Sequence, residues 1–319
     1  MAEAKMIGVT LGDPAGVGPE IVAKSLSSLK KEELVLIGNK RNFLRMISDL
    51  HLDVNSEDCE FVDIPGVDVE YGRVQKAAGE IAIKSIEKAV ELAQANRVES
   101  IATAPINKEA LLVAGSKYID HTTMLSGLTG AKVNHTVFEV GALRIFFMTK
   151  HVSLVKACSQ ITESLVYASI LEADDCLRLL GVGRRRIAVA GLNPHSGDGG
   201  LFGREEIEQI SPAIDRAKKS VDVFGPYPAD SVFHRAAEGA FDIVVALYHD
   251  QGHIAAKMMD FHRTVSLNIG LPFLRTSVDH GTAFDIAGKG LANPLSMVEA
   301  VKKAADYGKS YRSRFQEIM

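Results

Sequence analysis

The stretch Phe241-Asp242-Ile243-Val244-Val245-Ala246-Leu247-Tyr248-His249-Asp250-Gln251-Gly252 gives the strongest indication of the fold. Its first eight residues are mostly apolar and rich in β-branched side chains, which is typical of a strand buried in a parallel sheet. Ligands of open α/β sheets gather at the carboxyl ends of such strands. His249 follows this run with no intervening turn, so we expect it to lie where chemistry usually takes place.

Two further histidines follow apolar runs in the same way. Residues 186–192 lead into Asn193-Pro194-His195, and residues 143–149 lead into His151. A single histidine on an apolar strand is more often a core or cap residue, but three strand-end imidazoles suggest a metal site with open coordination positions. Separations of 44 and 54 residues exclude a local motif such as HExxH. A shared metal would therefore have to be assembled by the fold, within one chain or across two.

Strands alternate with helices along the chain, which predicts parallel pairing and an α/β class. The spacing of apolar residues predicts helices, and these cover residues 75–96, 163–180, 205–219 and 295 to about 315. One departure is the pair of segments 135–140 and 143–149, which are separated only by Gly141-Ala142 and indicate an antiparallel hairpin.

A chain of 319 residues favours two domains, or one large α/β domain. We expect the first domain to contain residues 1–125 and about 290–319. The second domain is expected to contain residues 126–289 with the dimerisation elements, because the inserted hairpin marks a passage between domains.

Composition narrows the function classes. A formal net charge of -4 argues against a nucleic-acid or anionic-membrane partner and favours a small-molecule substrate. Cys59, Cys158 and Cys176 show no CxxC spacing, which fits a reducing compartment. The sequence contains no run of roughly 20 apolar residues and no basic-then-apolar leader, so a cytoplasmic protein is expected.

The segment from Gly12 to Glu20 is rich in glycine between a predicted strand and a predicted helix. It does not match the dinucleotide-binding pattern GxGxxG, because Pro19 stands where a backbone donor would be needed. A tight structural turn explains it equally well, with Pro19 in the first turn of the helix.

A candidate anion site lies at His121-Thr122-Thr123, where either threonine could cap the helix that follows and leave backbone N–H groups for a phosphate. Lys257 and Arg275 are further candidates, although a solvated cation is the ordinary explanation for each. The composition of residues 279–294 predicts an ordered loop and nothing more specific.

Taken together, four motifs closely resemble the 4-hydroxythreonine-4-phosphate dehydrogenase family of pyridoxal phosphate biosynthesis. They are the segment from Gly12 to Glu20, Asn193-Pro194-His195-Ser196-Gly197, His249-Asp250-Gln251-Gly252 and the segment 270–282. The resemblance implies a homodimer of two-domain α/β subunits, related to isocitrate and isopropylmalate dehydrogenases, with the active site in the interdomain cleft.

The resemblance also implies site residues. It places one divalent metal (zinc, cobalt, nickel or magnesium) on His151, His195 and His249, with His249 supplied by the neighbouring subunit. Substrate contacts fall on His121, Thr122, Asp230, Asp250, Lys257 and Arg275, and Ser266 stands at a substrate-contacting position. The adenosine half of NAD or NADP is expected on a loop containing His280, Gly281, Thr282, Asp285 and Asn293.

The implied reaction is oxidation of the C3 hydroxyl of a 4-phosphorylated hydroxy acid, followed by decarboxylation of the 3-keto acid. Lys257 is the candidate general acid or base, Asp230 and Asp250 would orient ligands or offset the metal charge, and the phosphate would anchor the substrate.

Three positions depart from the biosynthetic pattern and leave the substrate open. Ser266 replaces a usual Asn, Asp120 a usual Gly, and His253-Ile254 a common Leu-Pro. Sequences with HDQGH look like a branch that acts on 4-phosphorylated threonate or erythronate. The same scaffold could also serve a cis-dihydrodiol dehydrogenase, an acyl-phosphate transferase or a non-catalytic metabolite-binding protein.

Overall fold

The computed structural model describes residues 6–318. Its strands, numbered in chain order, are β1 (Met6–Thr10), β2 (Leu34–Gly38), β3 (Glu60–Asp63), β4 (Val98–Thr103), β5 (His135–Val140), β6 (Leu143–Phe147), β7 (Ile187–Ala190), β8 (Val223–Tyr227), β9 (Ile243–Ala246), β10 (Val265–Ile269) and β11 (Leu274–Val278). Its α-helices are α1 (Gly18–Ser25), α2 (Lys40–Asp49), α3 (Lys76–Gln94), α4 (Lys108–Val113), α5 (His121–Thr129), α6 (Leu154–Ser159), α7 (Glu163–Leu180), α8 (Ser211–Ala217), α9 (Ala229–Ala237), α10 (His249–Met259) and α11 (Leu295–Ile318).

The chain divides into two compact units. Unit 1 consists of the residues up to Asn134 and from Val265 onward, and unit 2 is His135–Thr264. The sequence pattern places the changes near residues 125 and 290. The division falls elsewhere because β11 pairs in parallel with β4, and β10 pairs with β11, so that both strands belong to the first unit.

Unit 1 is a mostly parallel sheet with the strand order β3-β2-β1-β4-β11-β10. The five residues of β2, Leu-Val-Leu-Ile-Gly, are all buried, as expected for a strand covered on both faces. Helices α1, α2 and α11 contribute to one apolar cluster and α3 to another. Because β1 and β4 are adjacent and parallel, their carboxyl ends lie side by side at one edge of the sheet.

Unit 2 has the strand order β5-β6-β9-β7-β8. Strands β5 and β6 form the predicted antiparallel hairpin, while β6, β9, β7 and β8 run parallel. Its apolar cluster joins the strands to helices α9 and α10. The predicted α/β class is confirmed, and helix α7 has the predicted bounds.

Two predicted elements are shorter than expected. The strand before His249 ends at Ala246, so that His249 is the first residue of α10 and does not extend the strand. The predicted helix 205–219 begins with a π-helical turn, Glu206–Ile210, before α8. The three cysteines are free, and within residues 6–318 no helix combines the length and apolar content needed to cross a bilayer.

Candidate functional site

The three candidate metal histidines follow neighbouring strands of unit 2. His151 comes shortly after β6, His249 after β9 and His195 after β7. Because β6, β9 and β7 are adjacent and parallel, their carboxyl ends share one edge of the sheet. The sequence prediction of strand-end positions thus agrees with the topology, which brings these segments to a common side of the unit.

The HDQG tetrapeptide links strand ends at this edge. Gln251 accepts a hydrogen bond from the backbone N–H of Leu247 and donates one to the carbonyl of Gly191, both at 2.8 Å. A Cβ at Gly252 would lie 2.5 Å from the Phe147 ring, so only glycine lets α10 pack this closely on β6. The motif therefore fixes where α10 begins and where His249 stands.

His249 is held from two directions. Its Nδ1 lies 2.6 Å from Oδ1 of Asp250, an arrangement that leaves Nε2 available to a ligand. Its ring stacks on that of His253, with centroids 3.7 Å apart and an interplanar angle of 12°. Burial, together with the charges of His249 and Lys257, lowers the pKa of His253 to about 4, so this second ring is neutral.

Within a single chain, the rings of His151 and His249 lie close together, and the His195 ring has a different neighbour. The ring centroids of His151 and His249 are 5.7 Å apart, whereas His195 has the Phe202 ring as its neighbour, at 6.5 Å. Among residues 6–318, no group of three or more His, Cys, Asp or Glu side chains is arranged to hold a metal ion. The donor chemistry suits a divalent ion, and the three-histidine site stays a prediction.

A cavity of about 370 Å³ opens beside these rings. Its lining residues are Lys150, His151, Val152, Leu154, Ala157, Tyr248, His249 and Asp250. Lys150 was missed by sequence reasoning, although its position directly before His151 was a usable signal. Burial lowers the pKa of its ammonium group, which donates to Oγ1 of Thr136 at 3.2 Å.

The remaining candidates of unit 2 occupy different surroundings. Asp230 is exposed in the first turn of α9, and Asp250 is exposed beside His249. Lys257 is half-buried on α10, with Nζ 5.3 Å from the centre of the Phe261 ring. Asp250 directly contacts a candidate metal ligand, His249.

In unit 1, Arg275 is a buried cation whose hydrogen-bond partners are neutral. It is the second residue of β11, close to the amino end of the strand, and its guanidinium donates to Oγ1 of Thr103 and Oδ1 of Asn268. Burial lowers the pKa of Arg275 and the Asp120 charge raises it, yet a guanidinium stays protonated at neutral pH. A desolvated charge with neutral partners is stabilised by an anion, so this position suits phosphate or carboxylate.

His121 is the first residue of α5 and lies close enough to Arg275 for their charges to interact. Burial and the Arg275 charge lower the pKa of His121, and its Nε2 is buried with no hydrogen-bond partner among residues 6–318. The predicted threonine cap was wrong: Asp120 is the N-cap, since its carboxylate accepts from the N–H of Thr123. Thr122 is half-buried on the first turn. The neutral imidazole is thus available to a ligand.

Ser266 is half-buried on β10, opposite Ser277 of β11. Two residues further along β10, on the same face, Asn268 is fully buried opposite Arg275 and also donates to Oδ1 of Asn134. Sequence reasoning did not single out Asn268, and the role of Ser266 as a substrate contact stays a prediction. The signal available was a buried-strand pattern interrupted by an amide.

The candidate cofactor loop is anchored to α1. The ammonium group of Lys24 donates to the carbonyls of Gly290 and Ala292, and Glu20 accepts from the N–H of Ala292. The other predicted loop residues differ in exposure. Thr282 is buried, His280 is half-buried with Nε2 3.0 Å from Oγ of Ser296, and Gly281, Asp285 and Asn293 are exposed. The loop is ordered and presents polar groups to solvent.

The glycine-rich turn contacts this loop and contains a buried acid. The backbone N–H of Val17 donates to the carbonyl of Thr282, and a Cβ at Gly16 would lie 2.8 Å from Cβ of Thr282. Asp13 is fully buried; its Oδ1 accepts from the N–H of Ala15, while Oδ2 has no hydrogen-bond partner in the described part of the chain. Burial raises the pKa of Asp13 to about 6, although backbone hydrogen bonds oppose the shift.

Replacement of Asp13 by Asn is expected to flatten the pH dependence of stability in the acid range. The folded-state pKa of Asp13 is raised from 3.8 to about 6. Its contribution to the free energy of unfolding is therefore present below pH 4 and is lost as pH rises through 6. Relative to Asp13→Asn, the wild-type free energy of unfolding should fall by about 3 kcal/mol over this interval. Urea unfolding at several pH values measures this change in the free energy of unfolding. Free energies that change with pH in parallel for the two proteins would contradict the raised pKa of Asp13.

These features define a two-unit α/β protein with histidines at the strand ends of one unit and a buried arginine and histidine in the other. The chain belongs to the family described as pyridoxal phosphate biosynthetic protein PdxA, which matches residues 19–304. Its relatives are named as dehydrogenases of 4-phosphorylated substrates, consistent with an oxidoreductase.

Three proteins of known name or structure show what the chain is similar to. A Halalkalibacterium halodurans protein, provisionally named D-threonate 4-phosphate dehydrogenase, is 48% identical, covering 96% of this chain and 98% of its own length. The 4-hydroxythreonine-4-phosphate dehydrogenase of Klebsiella pneumoniae superposes with a TM-score of 0.85 at 40% identity, over 95% and 99% of the two chains. A terephthalate 1,2-cis-dihydrodiol dehydrogenase from Burkholderia xenovorans gives a TM-score of 0.64 at 27% identity, over 95% and 98%.

Proposed function

We propose that this protein oxidises the C3 hydroxyl of D-threonate 4-phosphate, or a closely related four-carbon acid phosphate, with NAD or NADP. The observation that carries the proposal is the buried Arg275, whose neutral partners leave its charge for an anionic substrate group. Family membership supplies the reaction class. The substrate branch is supported by a higher identity to the D-threonate 4-phosphate relative than to the solved 4-hydroxythreonine-4-phosphate dehydrogenase.

The residues of unit 1 would bind the phosphate. The Arg275 guanidinium would donate to two phosphate oxygens, and neutral His121 would donate or accept through Nε2. Thr122 and the first backbone N–H groups of α5 would add hydrogen bonds at the positive end of the helix dipole. Such remote binding holds C3 in register with the cofactor.

The reaction removes two electrons and two protons from the alcohol. A nicotinamide cofactor, for which the loop from His280 to Asn293 is the proposed site, would supply the acceptor for the C3 hydrogen as hydride, and the hydroxyl proton would pass to a base, for which Lys257 is the candidate. The resulting 3-keto acid can lose carbon dioxide as its C2 to carboxyl bond breaks, and a proton replaces the carboxyl group. Asp250 would keep the His249 ring oriented throughout.

His151, His195 and His249 are the residues that would hold a divalent ion, which when bound supplies positive charge to an oxygen that becomes anionic. The fit rests on their chemistry: His249 has its Nδ1 engaged and its Nε2 available, and His151 is its ring neighbour. Zinc, cobalt, nickel and magnesium are all candidates. The loop from His280 to Asn293 is the proposed adenosine site.

A second copy of this chain is the proposed macromolecular partner. Helices α6 and α10 of unit 2, with the residues that follow α10, expose large apolar side chains, which in a monomer would contact water. They are Leu154, Val155, Ile254, Met258 and Phe261, and Val155 and Met258 are more than 80% exposed. A homodimer that covers these side chains would also bring a second set of histidines close to the cavity lined by Leu154. The sedimentation coefficient of the purified protein would distinguish this dimer from a monomer.

The direct test is an assay of nicotinamide reduction with purified protein, both cofactors and each of the four metals. The substrates are D-threonate 4-phosphate, D-erythronate 4-phosphate, 4-hydroxythreonine 4-phosphate and an unphosphorylated cis-dihydrodiol. We expect turnover of the phosphorylated acids, fastest with D-threonate 4-phosphate. Turnover of the dihydrodiol alone would overturn the proposal in favour of a dihydrodiol dehydrogenase.

A further inference from the structure

The segment that carries His195 has an unusual backbone. Residues 195–199 have φ angles of 54°, 54°, 79°, 43° and 66°, and Gly200 follows at 98°. His195, Ser196 and Asp198 are not glycine, and residues with a Cβ rarely adopt this left-handed region. A run of such residues persists only where its surroundings hold it.

A buried carboxylate holds the start of this run. Glu206 is 3% exposed, and its Oε1 accepts from the backbone N–H groups of both Leu192 and Asn193 at 2.7 Å. Its Oε2 accepts from Nδ2 of Asn193 at 2.8 Å. Three hydrogen bonds to an ionised acceptor therefore fix the two residues that enter the turn before His195.

The turn also packs directly on this carboxylate. A Cβ at Gly197 would lie 2.8 Å from Oε2 of Glu206, and the φ of Gly197 is 79°. The N–H of Ser196 returns to the carbonyl of Asn193 at 3.0 Å. Glu206 itself begins the π-helical turn that precedes α8, and π-turns are frequent at functional sites. The carboxylate thus contacts the turn on both sides of His195.

We propose that Glu206 is a positioning residue that sets the placement of the His195 ring. The proposal rests on the proposed role of His195 as a ligand of a divalent ion. Glu206 does not contact the ion; it acts through the backbone of residues 192–197. A correctly placed imidazole binds the ion more tightly than one on a loop that samples other conformations.

Glu205 provides a matched control. It is the adjacent acid and also accepts from Nδ2 of Asn193 at 2.8 Å, whereas the backbone N–H groups of Leu192 and Asn193 donate to Glu206. Glu205→Gln therefore removes one carboxylate at the same loop and keeps the backbone contacts. Glu206→Gln removes the charge, and its amide cannot accept all three hydrogen bonds.

The experiment compares wild type, Glu206→Gln and Glu205→Gln by hydrogen exchange of the 192–200 segment, by zinc affinity in competition with a chromophoric chelator, and by steady-state kinetics. For Glu206→Gln we expect exchange at least about tenfold faster and zinc affinity lower by about 10- to 100-fold. The value of kcat should fall similarly, while KM for the phosphorylated substrate changes less than about twofold. Glu205→Gln should match wild type in each measurement.

Gly197→Ala is a second variant, because it disturbs the same contact from the other side. Its zinc affinity should fall as in Glu206→Gln, and the double variant should be no worse than either single one. Unchanged exchange and affinity in Glu206→Gln, or equal losses in Glu205→Gln, would refute the positioning role.

Exchange and zinc binding need no substrate, so the two proposals can fail separately. If no offered substrate turns over but both measurements respond, the positioning role stands and the proposed function fails. If the wild type turns over a substrate and Glu206→Gln changes neither hydrogen exchange nor zinc affinity, the proposed function stands and the positioning role fails. A wild-type protein that binds no zinc or other divalent ion would overturn the inference about His195.

Discussion

Replacing Arg275 by Met is expected to lower kcat/KM for the phosphorylated substrate by about 100- to 1,000-fold. Loss of one partner of a buried charge pair costs about 3 to 4 kcal/mol of binding, and that energy anchors the reacting carbon. Arg275→Lys should recover only part of the loss, because a lysine lacks the planar fork that pairs with two oxygens. Steady-state kinetics over a range of substrate concentrations measures the effect.

Stability offers an independent readout for the same residue. Inorganic phosphate should raise the thermal midpoint of the wild type by occupying the pocket and should leave Arg275→Met unchanged. Arg312→Met is the matched control: Arg312 is half-buried in the same unit and donates to the carbonyls of Ala93 and Val98. If Arg275→Met and Arg312→Met lose activity equally, the phosphate assignment fails.

His249→Ala is expected to abolish turnover, with a loss of at least about 1,000-fold, while the fold persists. The ring is 36% exposed at the first residue of α10, so its removal leaves little cavity in the apolar core. Far-ultraviolet circular dichroism, the thermal midpoint and the sedimentation coefficient should match those of the wild type, and divalent-ion affinity should fall sharply.

His262→Ala serves as the control in the same unit. His262 is exposed after the end of α10, and its ring contacts that of Phe261. This variant should keep wild-type rates and ion affinity. Full activity in His249→Ala would discredit the metal assignment, and loss of activity in both variants would point to damage of the surface near Phe261.

The parts of the molecule that were predictable from sequence are those with a strong local pattern. Helix α7 and the hairpin of β5 and β6 lie at the predicted positions, because apolar spacing and a short turn suffice to specify them. The strand-end positions of His151, His195 and His249 followed from three buried runs. The α/β class followed from the alternation of predicted strands and helices along the chain.

The missed features depend on contacts between distant segments. Arg275 is the second residue of strand β11, and a charged residue there argues against a buried strand until its partners Thr103 and Asn268 are known. The N-cap of α5 was assigned to a threonine because three capping residues stand close together, and local preference does not separate them. The left-handed turn at His195 depends on Glu206, eleven residues later.

The insertion of unit 2 between the two parts of unit 1 has a consequence for synthesis on the ribosome. Unit 2 is one continuous segment, so its strands can pair as soon as residue 264 has emerged. Strand β4, by contrast, cannot pair with β11 until β11 has been synthesised. Likewise, α1 and α2 cannot complete their apolar cluster until α11 has been synthesised. The nascent chain therefore holds an incomplete N-terminal sheet throughout translation of the insert, with apolar surface that β11 and α11 cover only later.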